Sequence, residues 1–305
     1  MNQVRHFKSL LDINKNEFLK IINHAIDLKK KLNSNKDLNL FENKTLAMIF
    51  KKNSTRTRIA FETAMTKMGG HAIFLSEESS QISRGENLSD TAKVLSGMVD
   101  AVMIRTHDHN EIIEFSSSSN IPVINGLSNM FHPCQLLADI QTFYEIKGSI
   151  ENKKVAWIGD GCNMCNSYIN AAKILDFNLK ISIPTGYEPD KETLRLASDH
   201  VELCDLPGNA VEDCDLVTTD VWASMGMESE LDKRKSIFKG YQVNSNLMSK
   251  AKKDAIFMHC LPAHRGEEVD ADVIDGPQSV VWQQAHNRLY TSIALLHFLL
   301  NEVNS

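Results

Sequence analysis

The strongest constraint on this chain is an alternation of short apolar, β-leaning runs with helical ones, played through twice. TLAMIF (45–50) reads as a strand and TRTRIAFETAMTKMG (55–69) as a helix. HAIFLS (71–76) is a strand, NLSDTAKVLSGM (87–98) a helix, and AVMIRT (101–106) and IPVING (121–126) are strands. CQLLADIQTFYEIKG (134–148) is an amphipathic helix closed by Gly148 as its C-cap. The pattern then restarts with KKVAWIG (153–159), the helix NSYINAAKILDF (166–177) and LKISIP (179–184). DLVTTDVW (215–222), AIFMHCLP (255–262) and QSVVW (278–282) read as further strands before a closing helix, HNRLYTSIALLHFLL (286–300). Such β-α-β grammar predicts parallel sheets with helices on both faces. A length of 305 residues accommodates two of them. The expectation is an α/β chain of two domains, each a parallel sheet flanked by helices. Residues 1–133 form the first, 134–148 a connecting helix and 149–285 the second, with helix 286–303 packing back on the first. The active site is expected in the cleft between them, where ligands of α/β chains commonly bind.

Composition removes several function classes. The net charge is −6 and no long run of lysine or arginine occurs, which argues against a nucleic-acid partner. The first residues, MNQVRHFKSLLDINKNEF, contain no apolar stretch of signal-peptide length. No window reaches about 18 consecutive apolar residues, so no membrane helix is expected. Cysteines 134, 162, 165, 204, 214 and 260 are too dispersed for a disulfide scaffold and read as reduced thiols of a cytoplasmic protein.

Chemistry-bearing residues gather at the predicted strand ends. After TLAMIF comes NSTRTR, a strand-to-helix turn with Asn53 or Ser54 as N-cap. First-turn amides lack helical partners, and the helix dipole favours negative charge there. With Ser54, Thr55, Arg56 and Thr57 the turn becomes a cradle for a group with several anionic oxygens. It is not the Walker loop, whose G-x-x-x-x-G-K-[ST] is absent. AVMIRT ends in Arg105, and the segment after IPVING delivers His132 and Gln135. VTTDVWASMG delivers Asp220, Ser224 and Met225, and IFMHCLPAHRG delivers Cys260, Leu261 and Arg265. Singly, most of these have plainer uses. A histidine is more often structural than catalytic, a cysteine more often simply buried, Asp220 can cap a helix, and Arg265 and Arg288 can be surface ion pairs.

Taken in order, STRTR, HPCQ, the SMG of DVWASMG, and HCLP resemble the aspartate/ornithine carbamoyltransferase superfamily and, within it, the ornithine branch. The resemblance runs from about residue 4 to about 300. It implies a carbamoyl-phosphate domain followed by an amino-acid domain, assembled as a homotrimer without metal or organic cofactor. It also implies transfer of a carbamoyl group from carbamoyl phosphate to the δ-amine of ornithine, giving citrulline for arginine biosynthesis or, run in reverse, yielding carbamoyl phosphate. By that likeness Ser54, Thr55, Arg56, Thr57 and Arg105 bind the phosphate, and Arg288 completes their site. Gln81 sits in a loop that reaches a neighbouring subunit's site. His132 and Gln135 contact the carbamoyl group. Asn163, Asp220, Ser224 and Met225 hold the α-amino-acid end of ornithine, and Cys260 and Leu261 lie near the reacting nitrogen. The catalytic set is Arg105, His132, Asp220 and Cys260. One departure stands out: the family has two asparagines after its GDG turn, and here Cys162 precedes Asn163.

Two rival readings use the same turn. VAWIGDG opening a helix suggests a dinucleotide-binding oxidoreductase, but Met164 occupies the place of the third glycine, and Glu188 comes late, past a proline. Cys162-Asn163-Met164-Cys165 is a CxxC at a helix N-terminus, where thiol pKa values fall, which suggests a redox or metal protein. No second CxxC and no H-x-x-x-H accompanies it.

Overall fold

The structure is a computed structural model and describes residues 4–34, 38–77, 85–223 and 230–302. The chain forms two compact units. Unit 1 comprises residues up to Gln141 together with the segment from His286 onward, and unit 2 runs from Thr142 to Ala285.

The first α-helix of unit 1 is α1 (Lys15–Asn33), which the sequence pattern above did not single out. Its signals are local: Asn14 and Glu17 form a reciprocal capping box, and Phe18, Ile21, Ile22, Ala25 and Leu28 make one buried stripe. Strands β1 (Thr45–Phe50), β2 (His71–Ser76), β3 (Ala101–Arg105) and β4 (Val123–Leu127) follow, with helices α2 (Thr55–Lys67), α3 (Leu88–Ser96) and α4 (His109–Ser117) between them. All pairs are parallel and the order is β2-β1-β3-β4. Ala47, Ile49, Val102, Ile104 and Val123 pack with Ile112 and Phe115 of α4 in one buried cluster. The order reverses direction between β1 and β3. Their following loops therefore diverge to opposite sides, leaving a crevice at the carboxyl ends of these strands.

Helix α5 (Pro133–Lys147) starts with proline at N1, where its missing N–H is no loss. Unit 2 contains strands β5 (Lys154–Ile158), β6 (Asn178–Ser182), β7 (Val201–Leu203), β8 (Leu216–Thr219) and β9 (Ile256–His259). Its helices are α6 (Asn163–Leu175), α7 (Lys191–Leu196), α8 (Pro207–Val211), α9 (Leu231–Phe238), α10 (Ser245–Met248) and α11 (Ala271–Ile274). This sheet is also parallel, in the order β7-β6-β5-β8-β9, and its direction reverses between β5 and β8. The last helix, α12 (Val281–Glu302), begins in unit 2 and ends in unit 1.

One expected strand does not form. Within QSVVW only Ser279 bridges a strand residue, Phe257, and Val281 already opens α12. Its β-branched residues favour a strand locally, but helical spacing sorts them: Val281 is fully buried while its neighbour Trp282 is exposed. The strand β8 is also shorter than DLVTTDVW. It stops at Thr219 because the Asp220 side chain accepts the Val221 N–H at 2.8 Å, in competition with a ladder bond. Among the described residues no helix is long and apolar enough to cross a membrane.

Candidate active site

In unit 1 the crevice between β1 and β3 is lined by the arginine-rich turn. Ser54 occupies the N-cap position of α2 with extended backbone, and its hydroxyl makes no capping bond. The first-turn amides are thereby left to an external acceptor. A cavity of about 450 Å³ borders the turn, lined by Asn53, Ser54, Thr55, Arg58 and Phe74 among others. Arg58 stacks over the Phe74 ring at 3.8 Å and pairs with Glu62 at 2.9 Å. Thr57 points the other way and is buried.

Helices α12 and α5 meet behind Thr57. Arg288 of α12 donates to Thr57 Oγ1 at 3.1 Å through Nη2 and to Gln135 Oε1 through Nη1. Gln135 in turn donates from Nε2 to Asp139 Oδ1 at 2.8 Å. Arg288, Gln135, Arg105 and His132 are all at most 5% exposed, which excludes a surface ion pair for Arg288. His132 closes the loop between β4 and α5, directly before Pro133. Its pKa lies well below the ordinary histidine value, first because it is buried and then because Arg288, Arg105 and Arg56 repel a positive charge. The imidazole is neutral at physiological pH. Three arginines around an uncharged histidine suit an anion and a carbonyl oxygen.

In unit 2 the reversal between β5 and β8 brings together the turn after Ile158 and Asp220. Gly159 adopts φ +122°, and a Cβ on Gly161 would lie 2.4 Å from the Tyr187 carbonyl oxygen, so both glycines are required for the turn. Cys162 is the N-cap of α6 and Asn163 its first residue. Asp220 is buried, and its carboxyl accepts from Cys260 Sγ at 3.0 Å on Oδ1, with Cys162 Sγ 3.8 Å from Oδ2. Burial raises the Asp220 pKa, against the lowering influence of His259 and the Cys260 hydrogen bond. Among the described residues Asp220 caps no helix, and its local bond goes to the N–H of Val221.

Cys260 is held from behind. Leu261 has a left-handed backbone (φ +58°), rare for a bulky residue, and its N–H donates to His259 Nδ1 at 2.9 Å. That bond makes Nδ1 the acceptor and leaves Nε2–H to donate to Glu268 Oε1 at 3.0 Å. His259 and Glu268 are both fully buried. Glu268 carried no motif and was missed by sequence reasoning, as was Arg234 of α9. Arg265, by contrast, forms an exposed pair with Asp275 at 2.7 Å and belongs to the surface.

The redox or metal reading fares worse in this geometry. The CxxC thiols do not have the lowered pKa expected of a helix N-terminus. Burial, then the charges of Asp220 and Asp160, drives Cys162 well above the ordinary thiol value, and burial and Asp160 do the same to Cys165. Donor atoms of Asp220, His259 and Cys260, and of His264, Glu267 and Glu268, approach within 4.8 Å of one another. Both His259 nitrogens are already engaged, and Glu267 pairs with Lys235 at 2.7 Å, so each set has protein partners before any metal. Gln81, Ser224 and Met225 lie outside the described residues.

Comparisons with known proteins identify the family and the fold. Residues 5–145 match the family model for the aspartate/ornithine carbamoyltransferase carbamoyl-P binding domain, and residues 151–299 match that for its Asp/Orn binding domain. The ornithine carbamoyltransferase of Methylococcus capsulatus is 54% identical over 296 residues, covering 97% of this chain and 98% of its own. That of Nitrosococcus oceani is 54% identical over 297 residues, covering 97% and 98%. The solved ornithine carbamoyltransferase of Pyrococcus furiosus superposes with a TM-score of 0.94 at 46% identity, covering 97% of each chain. The anabolic enzyme of Campylobacter jejuni gives 0.91 at 44%, covering 98% of this chain and 100% of its own. By sequence along nearly its whole length and by fold, the chain belongs to the aspartate/ornithine carbamoyltransferase family.

Proposed function

We propose that the protein transfers the carbamoyl group of carbamoyl phosphate to the δ-amine of L-ornithine, giving L-citrulline and phosphate. The observation that carries the reading is the position of two dissimilar residue sets. Each sits at the reversal point of its own sheet, one built for an anion and a carbonyl, the other around a buried carboxylate and a thiol.

In this reading Ser54, Thr55, Arg56, Thr57 and Arg105 bind the phosphate through the α2 N-terminus and guanidinium forks, with Arg288 behind Thr57. Leaving phosphate gains charge as the C–O bond breaks, and these groups stabilise it without reorganising. Arg105, Thr57 and neutral His132 donate to the carbonyl oxygen, which becomes an oxyanion in the tetrahedral transition state. Gln135 orients the carbamoyl nitrogen. Ornithine's α-ammonium pairs with Asp220, and Asn163, Ser224 and Met225 hold the rest of its α-amino-acid end. The free amine must lose its proton before attack: an alkyl ammonium of pKa about 10.4 at pH 7 requires roughly 4.6 kcal/mol. Desolvation beside Cys260 and Leu261 lowers that requirement.

The carboxylate of Asp220 favours a substrate with a free α-ammonium over putrescine or an N-acylated ornithine. The same reading puts the protein in the cytoplasm and in arginine biosynthesis, as a homotrimer in which the Gln81 loop serves a neighbouring subunit's site. The test is citrulline formation from carbamoyl phosphate by the purified protein, with ornithine, putrescine, aspartate and N-acetylornithine in parallel. Product with ornithine alone supports the whole reading. Product with another amine keeps the anion site and overturns the role of Asp220.

A further inference from the structure

Arg234 lies on α9, outside every motif of the sequence, yet it is only 7% exposed. A buried guanidinium needs partners for its donors, and here they are informative. Nη1 donates to the Trp222 carbonyl oxygen at 2.7 Å and lies 3.1 Å from Asp160 Oδ1. Nε donates to Glu230 Oε2 at 3.1 Å. The guanidinium carbon stands 4.8 Å from the centre of the Tyr187 ring and 5.9 Å from that of Phe238, and Trp222 packs on Phe238 at 6.0 Å.

Each partner belongs to a segment already described. Asp160 is the middle residue of the Gly-Asp-Gly turn that leads directly to Cys162 and Asn163. Trp222 stands two residues beyond Asp220, and Tyr187 is the residue whose carbonyl accepts the Gly161 N–H at 2.9 Å. One side chain therefore ties the backbone after β8 to the turn after β5, the two strand ends that meet at the reversal point of the sheet. The same pairing opposes the burial that pushes the Asp160 carboxyl up to about 6. A buried ion pair contributes little net stability over an apolar replacement, so its yield here is geometry.

We infer that Arg234 is a positioning residue for the amino-acid site: it fixes the spacing between the Asp220 segment and the Asn163 turn, and thereby how tightly the α-amino-acid end of ornithine is held. The inference deepens the proposed activity and rests on it. Arg234 acts through Trp222 and Asp160, not through contact with the substrate.

The experiment compares wild type with Arg234→Gln, Arg234→Lys and Asp160→Asn. It measures KM for each substrate and the calorimetric affinity for L-norvaline, which has the α-amino-acid end of ornithine but no δ-amine. Arg234→Gln is expected to weaken ornithine and L-norvaline about tenfold or more, the scale of a lost hydrogen bond to a charged group. The KM for carbamoyl phosphate should move less than about twofold, a split that general loosening of the fold would not produce. Arg234→Lys should recover part of the loss, because lysine keeps the charge but not the fork. A folded Arg234→Gln protein with unchanged ornithine and L-norvaline affinity, or with both substrates weakened equally, overturns the inference. Should that variant fail to fold, Asp160→Asn carries the test: weaker L-norvaline binding supports the inference and unchanged binding overturns it. Wild-type protein that makes no citrulline from ornithine sinks the proposed function, and this inference with it. Active wild type with indifferent variants removes the inference alone.

Discussion

Cys260 Sγ lies 3.0 Å from Asp220 Oδ1, and the contact requires the thiol form, because the carboxylate can only accept. The same oxygen takes the Val221 N–H at 2.8 Å, so Asp220 is oriented by a side chain of one strand end and the backbone of its own. In the proposed function, a donor at Cys260 is thus part of how the carboxylate would be presented to an ammonium.

Cys260→Ala is expected to lower kcat/KM for ornithine by about 10- to 100-fold, the scale of a hydrogen bond to a charged group. Cys260→Ser keeps a donor in place and should retain most of the activity. Steady-state kinetics of the two variants side by side decide the point: equal losses would mean that the donor is not what matters.

Asp220 makes a pH prediction whose two signs are opposite. Burial raises its pKa, and the protonated form cannot pair with an ammonium, so ornithine affinity should decline as pH falls through a value above the ordinary carboxylate of about 3.9. For stability, the folded chain retains a proton that the unfolded chain has already lost. The contribution of this group is therefore greatest below the ordinary carboxylate pKa and is lost as pH rises through the raised one. Asp220→Asn should abolish ornithine binding while leaving the melting temperature at neutral pH equal or higher. Thermal melts across pH, paired with calorimetry, read both effects.

His132 behaves in the reverse sense. Burial and three arginines depress its pKa, so the unfolded chain binds a proton that the folded chain refuses. Its contribution is fully present above about 6.5 and is lost as pH falls below that value. His132→Ala should flatten the stability profile between pH 6.5 and the acid limb, and in the proposed mechanism it should lower kcat by about 10²-fold or more through the lost oxyanion donor. A variant with an unaltered acid limb would count against the neutral buried imidazole.

Arg288→Gln is expected to weaken carbamoyl phosphate. Two buried hydroxyl and amide partners, Thr57 and Gln135, lose a charged donor at once. A fall in carbamoyl-phosphate affinity of about tenfold or more is the scale for such bonds. Titration calorimetry with carbamoyl phosphate reads this directly, and unchanged affinity would remove Arg288 from the anion site.

Much of this was legible in the primary structure because it is local. β1 and β2 coincide with TLAMIF and HAIFLS, since an apolar run between turn residues has few other uses in a parallel sheet. The motif residues stand out because strand ends are where an α/β sheet can offer them. What escaped is nonlocal or overridden. Glu268 and Arg234 carry no local signal, and their meaning comes from His259, Asp160 and Trp222, which only folding brings near. The low thiol pKa expected at Cys162 failed because burial and two carboxylates outweigh a helix N-terminus. Helix α1 was overlooked although its stripe and capping box were present, and QSVVW misled because two valines and a tryptophan look the same in a strand and in the first turn of a helix.

The bond between Thr57 and Arg288 joins positions 231 apart in the chain, and everything assigned to unit 2 is translated between them. A nascent chain can pair β1, β2, β3 and β4 early, but it has no arginine for Thr57 or Gln135 until the last helix leaves the ribosome. The bonds behind Thr57 and Gln135 are therefore completed only in finished molecules. A chain that stops before Arg288, whether by premature termination or by trimming back to the first turn of α12, would keep the residues of the first sheet and lose the guanidinium behind Thr57.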